Sequence, residues 1–236
     1  MSKVKGILYL IPSWLSPGTQ AMMPPVVVEV TRRIRHYFVE NERSARRFLK
    51  AMDRTIDIDA CTFSLVNVTE KPDRAMLQQW LMEDKEIGVI SEAGYPCIAD
   101  PGELLVREAH RLGAKVVPLS GPNAMIMALA ASGLNGERFC FSGYLPIRSS
   151  DRIRSLKVLE KKMLQTQETQ IFMETPYRNN ALVQDMLAHL QPSTQLCIAA
   201  DITAPSEYIE THRIQEWAGK VPDLHKRPAV FLLGTS

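Results

Sequence analysis

Short apolar runs alternate with amphipathic segments along most of this chain. Gly6–Pro12 (GILYLIP) predicts a buried first strand closed by Pro12. The SWLSPGTQAMMPP that follows is broken by proline and glycine and reads as loop. The next segment opens with β-branched residues, yet Val26, Val30, Ile34 and Tyr37 recur at helical spacing. It predicts a helix from Pro25 to about His36 and a short strand over Tyr37–Val39. Ser44–Met52 reads as a helix, CTFSLVNVT as a strand, RAMLQQWLMEDKE as a helix and IGVIS as a strand. GELLVREAHRLG is a helix stopped by Gly113, AKVVPLS a strand, and NAMIMALAASGL a helix capped by Asn123.

The second half repeats the theme less cleanly. FCFSGYLP, TQIFMET, TQLCIAADI and PAVFLLGT read as strands, and DRIRSLKVLEKKMLQ and RNNALVQDMLAHL as helices. SEYIETHRIQEWAG mixes the two patterns. Short apolar strands alternating with amphipathic helices predict α/β sheets covered by helices. The loop after Leu119 is the expected boundary between two α/β subdomains, 1–119 and 120–236.

Composition narrows the picture by exclusion. The net charge of +2 on 236 residues gives no global pull toward nucleic acid, although local patches can hide inside a neutral total. The four cysteines form no CxxC pair and each lies in or beside an apolar run, so they read as buried free thiols of a reducing compartment. The five histidines are scattered, without HExxH or a Cys/His cluster, which argues against zinc. The apolar run in MSKVKGILYLIP is short for a signal peptide, and no stretch approaches the ~20 apolar residues of a membrane span. A cytoplasmic protein is expected.

Two loops stand out. SEAGYPCIADPGE (Ser91–Glu103) follows the strand GVI, and SGPNA (Ser120–Ala124) follows KVVPL. In open α/β sheets ligands collect beyond the carboxyl ends of strands. Glycine there lets backbone approach a ligand and proline fixes the turn. Neither loop has GxGxxG or GxxxxGK[ST] spacing, so a nucleotide phosphate is not the natural occupant. Asp100, before Pro101, reads as a cap for the helix starting near Glu103.

These residues resemble the tetrapyrrole methylase superfamily of S-adenosylmethionine-dependent methyltransferases. The resemblance is closest to the branch that methylates a ribose 2′-hydroxyl of 16S ribosomal RNA. It is carried by Ile90–Gly102, by Ser120–Ala124, by Ser132-Gly133-Leu134 and by Gly143-Tyr144-Leu145-Pro146, in order and at the family's spacing. IFMETPYR (Ile171–Arg178), AADITAPSE (Ala199–Glu207) and ENER (Glu40–Arg43) are similar to further motifs of that branch. The resemblance implies two α/β subdomains with the cofactor cleft between them, usually in a homodimer. It implies S-adenosyl-L-methionine contacts from Pro12, Glu92, Ala93, Gly94, Ile98, Asn123, Ala124, Met173, Ala200, Ile202 and Ala229.

The chain also departs from that branch. IPSWLS stands where the branch has A-T-P-I-G-N, Asn41 replaces an acid, and Val66 and Val68 occupy histidine positions. Ala204 and Ser206 replace a lysine and a histidine. Donor-side motifs therefore survive better than acceptor-side ones. A ribose hydroxyl needs a base or a cation beside its oxygen, and the candidates are Glu40, Arg43 and Glu174, the last of which can also pair with Arg178. RNA contact is expected through Arg32, Arg33, Arg35, Arg46 and Arg47, with a second basic stretch from Arg148 to Lys162. Trp14 reads as a packing residue rather than a base-stacking one. Two other readings stay open: a small tetrapyrrole-like acceptor, and a cofactor-binding module without turnover.

Overall fold

A computed structural model describes residues 4–66 and 71–235, so Val68 and the tail of the CTFSLVNVT segment lie outside the described residues. The chain divides into two units, Met1–Asn123 and Ala124–Ser236.

The first unit holds a parallel sheet of β1 (Ile7–Ile11), β2 (His36–Val39), β3 (Thr62–Leu65), β4 (Glu86–Ile90) and β5 (Lys115–Pro118), in the order β3-β2-β4-β1-β5. Its helices are α1 (Pro25–Arg33), α2 (Glu42–Met52), α3 (Arg74–Met82) and α4 (Glu103–Arg111). α1 and α2 share one core with Tyr9, Ile11, Tyr37 and Val39. α3 and α4 share another with Leu8, Leu10, Phe38, Ile87 and Val89. The alternation along β1 and β2 thus feeds both faces. The chain moves toward one edge from β1 through β2 to β3, then back through β4 to β5. Right-handed crossovers put the two helix pairs on opposite faces under that reversal. Gly88 in β4 exists because a methyl there would lie 2.7 Å from Ile11 Cδ1 and from the Tyr37 ring.

The first-unit elements follow the expected order with shifted ends. α1 stops at Arg33 because Ile34 is extended, with ψ 141°. α2 starts two residues early, since Asn41 caps it by accepting from Ser44 N at 3.1 Å. Trp14 packs on Phe48 with ring centroids 4.8 Å apart, a packing role as expected.

The second unit carries α5 (Ala124–Ser132), β6 (Phe139–Tyr144), α6 (Ser149–Thr166), β7 (Thr169–Met173), α7 (Asn179–His189), β8 (Gln195–Ala200), β9 (Tyr208–Arg213) and β10 (Ala229–Gly234). The sheet order is β6-β7-β10-β8-β9, parallel only between β6 and β7. α6 and α7 cover the face bearing Phe172, Leu196, Ile198, Phe231 and Leu233. Every residue of the central β10 is buried, which explains its unbroken apolar run. The cysteines are all free; Cys61 and Cys197 are buried as expected, whereas Cys97 and Cys140 are only half-buried. Among the described residues no helix is long and apolar enough to cross a membrane.

Candidate functional site

In the first unit, neighbouring strands β1 and β4 send their chains to opposite edges of the sheet, a switch point of the kind at which α/β sheets bind ligands past their carboxyl ends. The two outgoing loops meet there. Ser13 N donates to Gly94 O at 2.8 Å and Gly94 N to Ser13 O at 3.2 Å. The Ser13 hydroxyl donates to Ser91 O at 3.2 Å. From the end of β2, Glu40 Oε2 accepts from Glu92 N at 3.0 Å. Gly94 has φ +78°, a conformation glycine adopts without strain. Gly121, from the loop after β5, approaches Pro12 so closely that a methyl on it would lie 2.2 Å from Pro12 Cγ. Pro12, Glu92, Ala93 and Gly94 are thus brought to one edge with the Gly121-Pro122-Asn123 turn, and exposed Ile98 lies further along the same loop.

Asp100 is not a helix cap. Gly102 holds the cap position of α4, with φ +135° and no side-chain cap bond, because a side chain there would strike Cys97 Sγ at 2.7 Å. The Asp100 carboxyl is instead pushed up to about 6, by burial first and then by the charges of Glu40 and Glu92. The Ser91 hydroxyl faces it and opposes the rise, although it stops short of a hydrogen bond of good geometry. Three carboxylates thus influence one another here, and none of them is in an ion pair among the described residues. Among the described residues no His, Cys, Asp and Glu group is placed to hold a metal.

In the second unit, strand register sets Ala229 opposite Ala200 and Val230 opposite Met173. The turns leaving β7 and β8 and the loop entering β10 therefore share one end of the sheet. Ala200, Ile202 and Ala229 are buried and Met173 is half-buried. Glu174 is buried; its Oε1 accepts from Thr175 N and from Arg178 Nη2, both at 2.6 Å. Burial pushes this carboxyl up, but the bonds from Arg178 and Thr175 and the arginine's charge outweigh it, leaving the group below the ordinary glutamate range. Arg227 Nε donates to Asp201 Oδ2 at 2.7 Å and the Ser206 hydroxyl to the same atom at 2.9 Å. Asp201, Thr203 and Lys226 have φ of +50°, +75° and +61°, so these turns are held in conformations that side chains disfavour.

The sequence-predicted arginines do not form one free patch. Arg32 pairs with Asp53, Arg33 with Glu86 and Tyr9, and Arg46 with Glu42 while lying over the Phe63 ring. Arg35 donates to the Arg32 and Ile34 carbonyls. Arg43 and Arg47, one turn apart on α2, are exposed. Sequence reasoning passed over Ser13; its signal was position, immediately after the proline that closes the first strand.

The family model of the tetrapyrrole (corrin/porphyrin) methylases matches residues 25–218. The chain belongs to the tetrapyrrole methylases. This methylase is 32% identical over 230 residues to ribosomal RNA small subunit methyltransferase I of Vibrio cholerae, covering 96% of this chain and 76% of that protein. It is 34% identical over 205 residues to the protein of that name from Escherichia coli O157:H7, covering 87% and 68%. The Bacillus subtilis protein is 28% identical over 214 residues, covering 91% and 70%. In fold it resembles diphthine synthase, with a TM-score of 0.63, 14% identity and 98% and 90% coverage. It also resembles the methyltransferase CobJ, with a TM-score of 0.59, 17% identity and 100% and 95% coverage. As a tetrapyrrole methylase the chain is a methyltransferase whose donor is S-adenosyl-L-methionine. At the first-unit edge the carboxylates outside any ion pair would repel a phosphate.

Proposed function

We propose that this methylase acts on ribosomal RNA of the small subunit, at a ribose 2′-hydroxyl. The observation that carries the reading is similarity over nearly the whole chain to proteins named ribosomal RNA small subunit methyltransferase I. The donor, when bound, supplies a methyl group already activated on a positively charged sulfur. The protein's work is to align, to exclude water and to handle one proton. Pro12, Glu92, Ala93, Gly94, Ile98 and Asn123 are the first-unit residues assigned to the donor. Ala124, Met173, Ala200, Ile202 and Ala229 are assigned to it as well, all of them by the resemblance.

The three catalytic candidates differ in what their surroundings leave open. Glu174 is buried and locked by Arg178. Glu40 is half-exposed and engages Glu92 through Oε2, which leaves Oε1 to receive a hydroxyl proton. Arg43, exposed on the first turn of α2, supplies a cation for the developing alkoxide. Proton removal is therefore assigned to Glu40 and oxyanion stabilisation to Arg43. Arg43 and Arg47 supply the phosphate contacts that the paired arginines cannot.

The working form is a homodimer in the cytoplasm. Phe139, Tyr144 and Ile147, exposed on and just beyond the edge strand β6, support self-association. Incubating the protein and tritiated donor with small ribosomal subunits, total RNA and a tetrapyrrole tests the acceptor. Label in small-subunit RNA is the expected result; label confined to the tetrapyrrole would replace this reading with a small-molecule one.

A further inference from the structure

At the second-unit edge the turn after β7 and the loop before β10 are sewn together. Asn179 Nδ2 donates to Arg227 O at 2.6 Å, and Lys226 N to Pro176 O at 3.1 Å. Leu224 N donates to Asn180 Oδ1 at 2.9 Å, and Asn180 Nδ2 to Asp223 Oδ1 at 2.7 Å. Arg227 extends the ties to the turn after β8 through Asp201 and the Ser206 carbonyl. The left-handed backbone of Lys226 is a strained conformation that these bonds hold in place.

Tyr177 stands on this base. At 70% exposure it is the most exposed large apolar side chain among the described residues. It makes one ring contact there, with His225, at 5.8 Å between centroids and 74° between planes. His225 and Lys226 are exposed beside it, and Arg178 is partly so. On a turn so firmly fixed, a ring that is mostly in water is available to stack on a flat partner. A ring held rigid loses little conformational freedom when a base lands on it, and the Lys226 cation favours the phosphates that flank an unpaired base.

We propose that Tyr177, with His225 against its ring and Lys226 beside it, is a stacking platform for an unpaired base of single-stranded RNA. The proposal rests on the RNA reading above and assigns the acceptor a docking point on the second unit. Stacking tolerates any base, so the platform holds the strand and leaves the choice of nucleotide to other contacts.

The test uses the full chain and a short fluorescein-labelled single-stranded oligoribonucleotide, read by anisotropy. Tyr177→Ala is expected to weaken binding at least about tenfold, because it removes the stacking surface. Tyr177→Phe, which keeps the ring and loses the hydroxyl, is expected to bind like wild type. Donor affinity by calorimetry should be the same in all three proteins. Undiminished RNA binding by Tyr177→Ala overturns the platform and leaves the RNA reading standing. Equal loss in Tyr177→Phe overturns stacking in favour of a hydroxyl contact. A wild-type protein that binds donor but neither binds nor methylates RNA overturns the RNA reading, and the platform with it.

Discussion

Gly121 shows how tightly the first-unit edge, proposed to hold the donor, is drawn. A methyl there would overlap the Pro12 ring, whose backbone is pinned at the end of β1, so Gly121→Ala must push the two loops apart. Donor affinity by calorimetry should fall at least about tenfold, with far-ultraviolet circular dichroism unchanged. Glu40 separates two roles. Glu40→Gln keeps an oxygen for Glu92 N but cannot take a proton, so it should retain donor affinity while the transfer rate drops about 100-fold or more. Glu40→Ala loses both and should weaken donor binding as well. Equal donor affinity and equal rate in Glu40→Gln would remove Glu40 from the chemistry. Asp100 gives a pH signature. Its folded pKa of about 6 lies above the ordinary aspartate value of about 3.9. Below about pH 4 both states are protonated and nothing is lost; through pH 4–6 a penalty grows, and above that it is complete. Asp100→Asn should therefore stabilise the fold near pH 7 by about 1 kcal/mol, allowing for partial exposure, and leave it unchanged near pH 4. At this scale the glycines and Glu92 were legible as loop chemistry. The burial of Asp100 was not, because Asp-Pro-Gly before a helix has the same letters whether the carboxylate caps the helix or faces two other acids.

At the scale of elements, the turn from β7 into α7 carries the clearest energetic commitment. Glu174 is closed from solvent and depends on Arg178 and Thr175 N for its charge. Arg178→Met should cost about 3 kcal/mol, since it leaves a buried carboxylate unpaired. Melting temperature should fall by roughly 6–12 °C. Because the carboxyl sits below its unfolded value, the wild-type contribution is complete above the ordinary glutamate pKa and fades as pH falls through the folded one. The wild-type excess over Arg178→Met should therefore shrink on acidification; a constant excess would show that Arg178 acts only by packing. The Glu174–Arg178 pair was readable from four-residue spacing. Strand direction in the second unit was not. β10 is apolar throughout, as a parallel strand buried on both faces would be, and only pairing with β7 and β8 shows it runs against both. Charge runs misled in the same way: Arg32 and Arg33 read as a patch, but their partners Asp53 and Glu86 are distant in sequence.

For the whole molecule, alternating apolar strands and amphipathic helices were enough to give the α/β class, because right-handed crossovers leave few ways to cover a sheet. Sequence pattern did not reveal the strand order β3-β2-β4-β1-β5, and that order puts the switch point between β1 and β4. The loops after those strands then carry the bridge between Ser13 and Gly94. What the molecule does with its donor is settled most directly by where the methyl goes. Small ribosomal subunits are methylated with tritiated S-adenosyl-L-methionine, and the 16S RNA is then hydrolysed in alkali, which cannot cleave next to a 2′-O-methylated ribose. Recovery of the label in an alkali-resistant dinucleotide is the predicted result. Donor binding with no label in that RNA, or label released entirely as mononucleotide, would contradict the account.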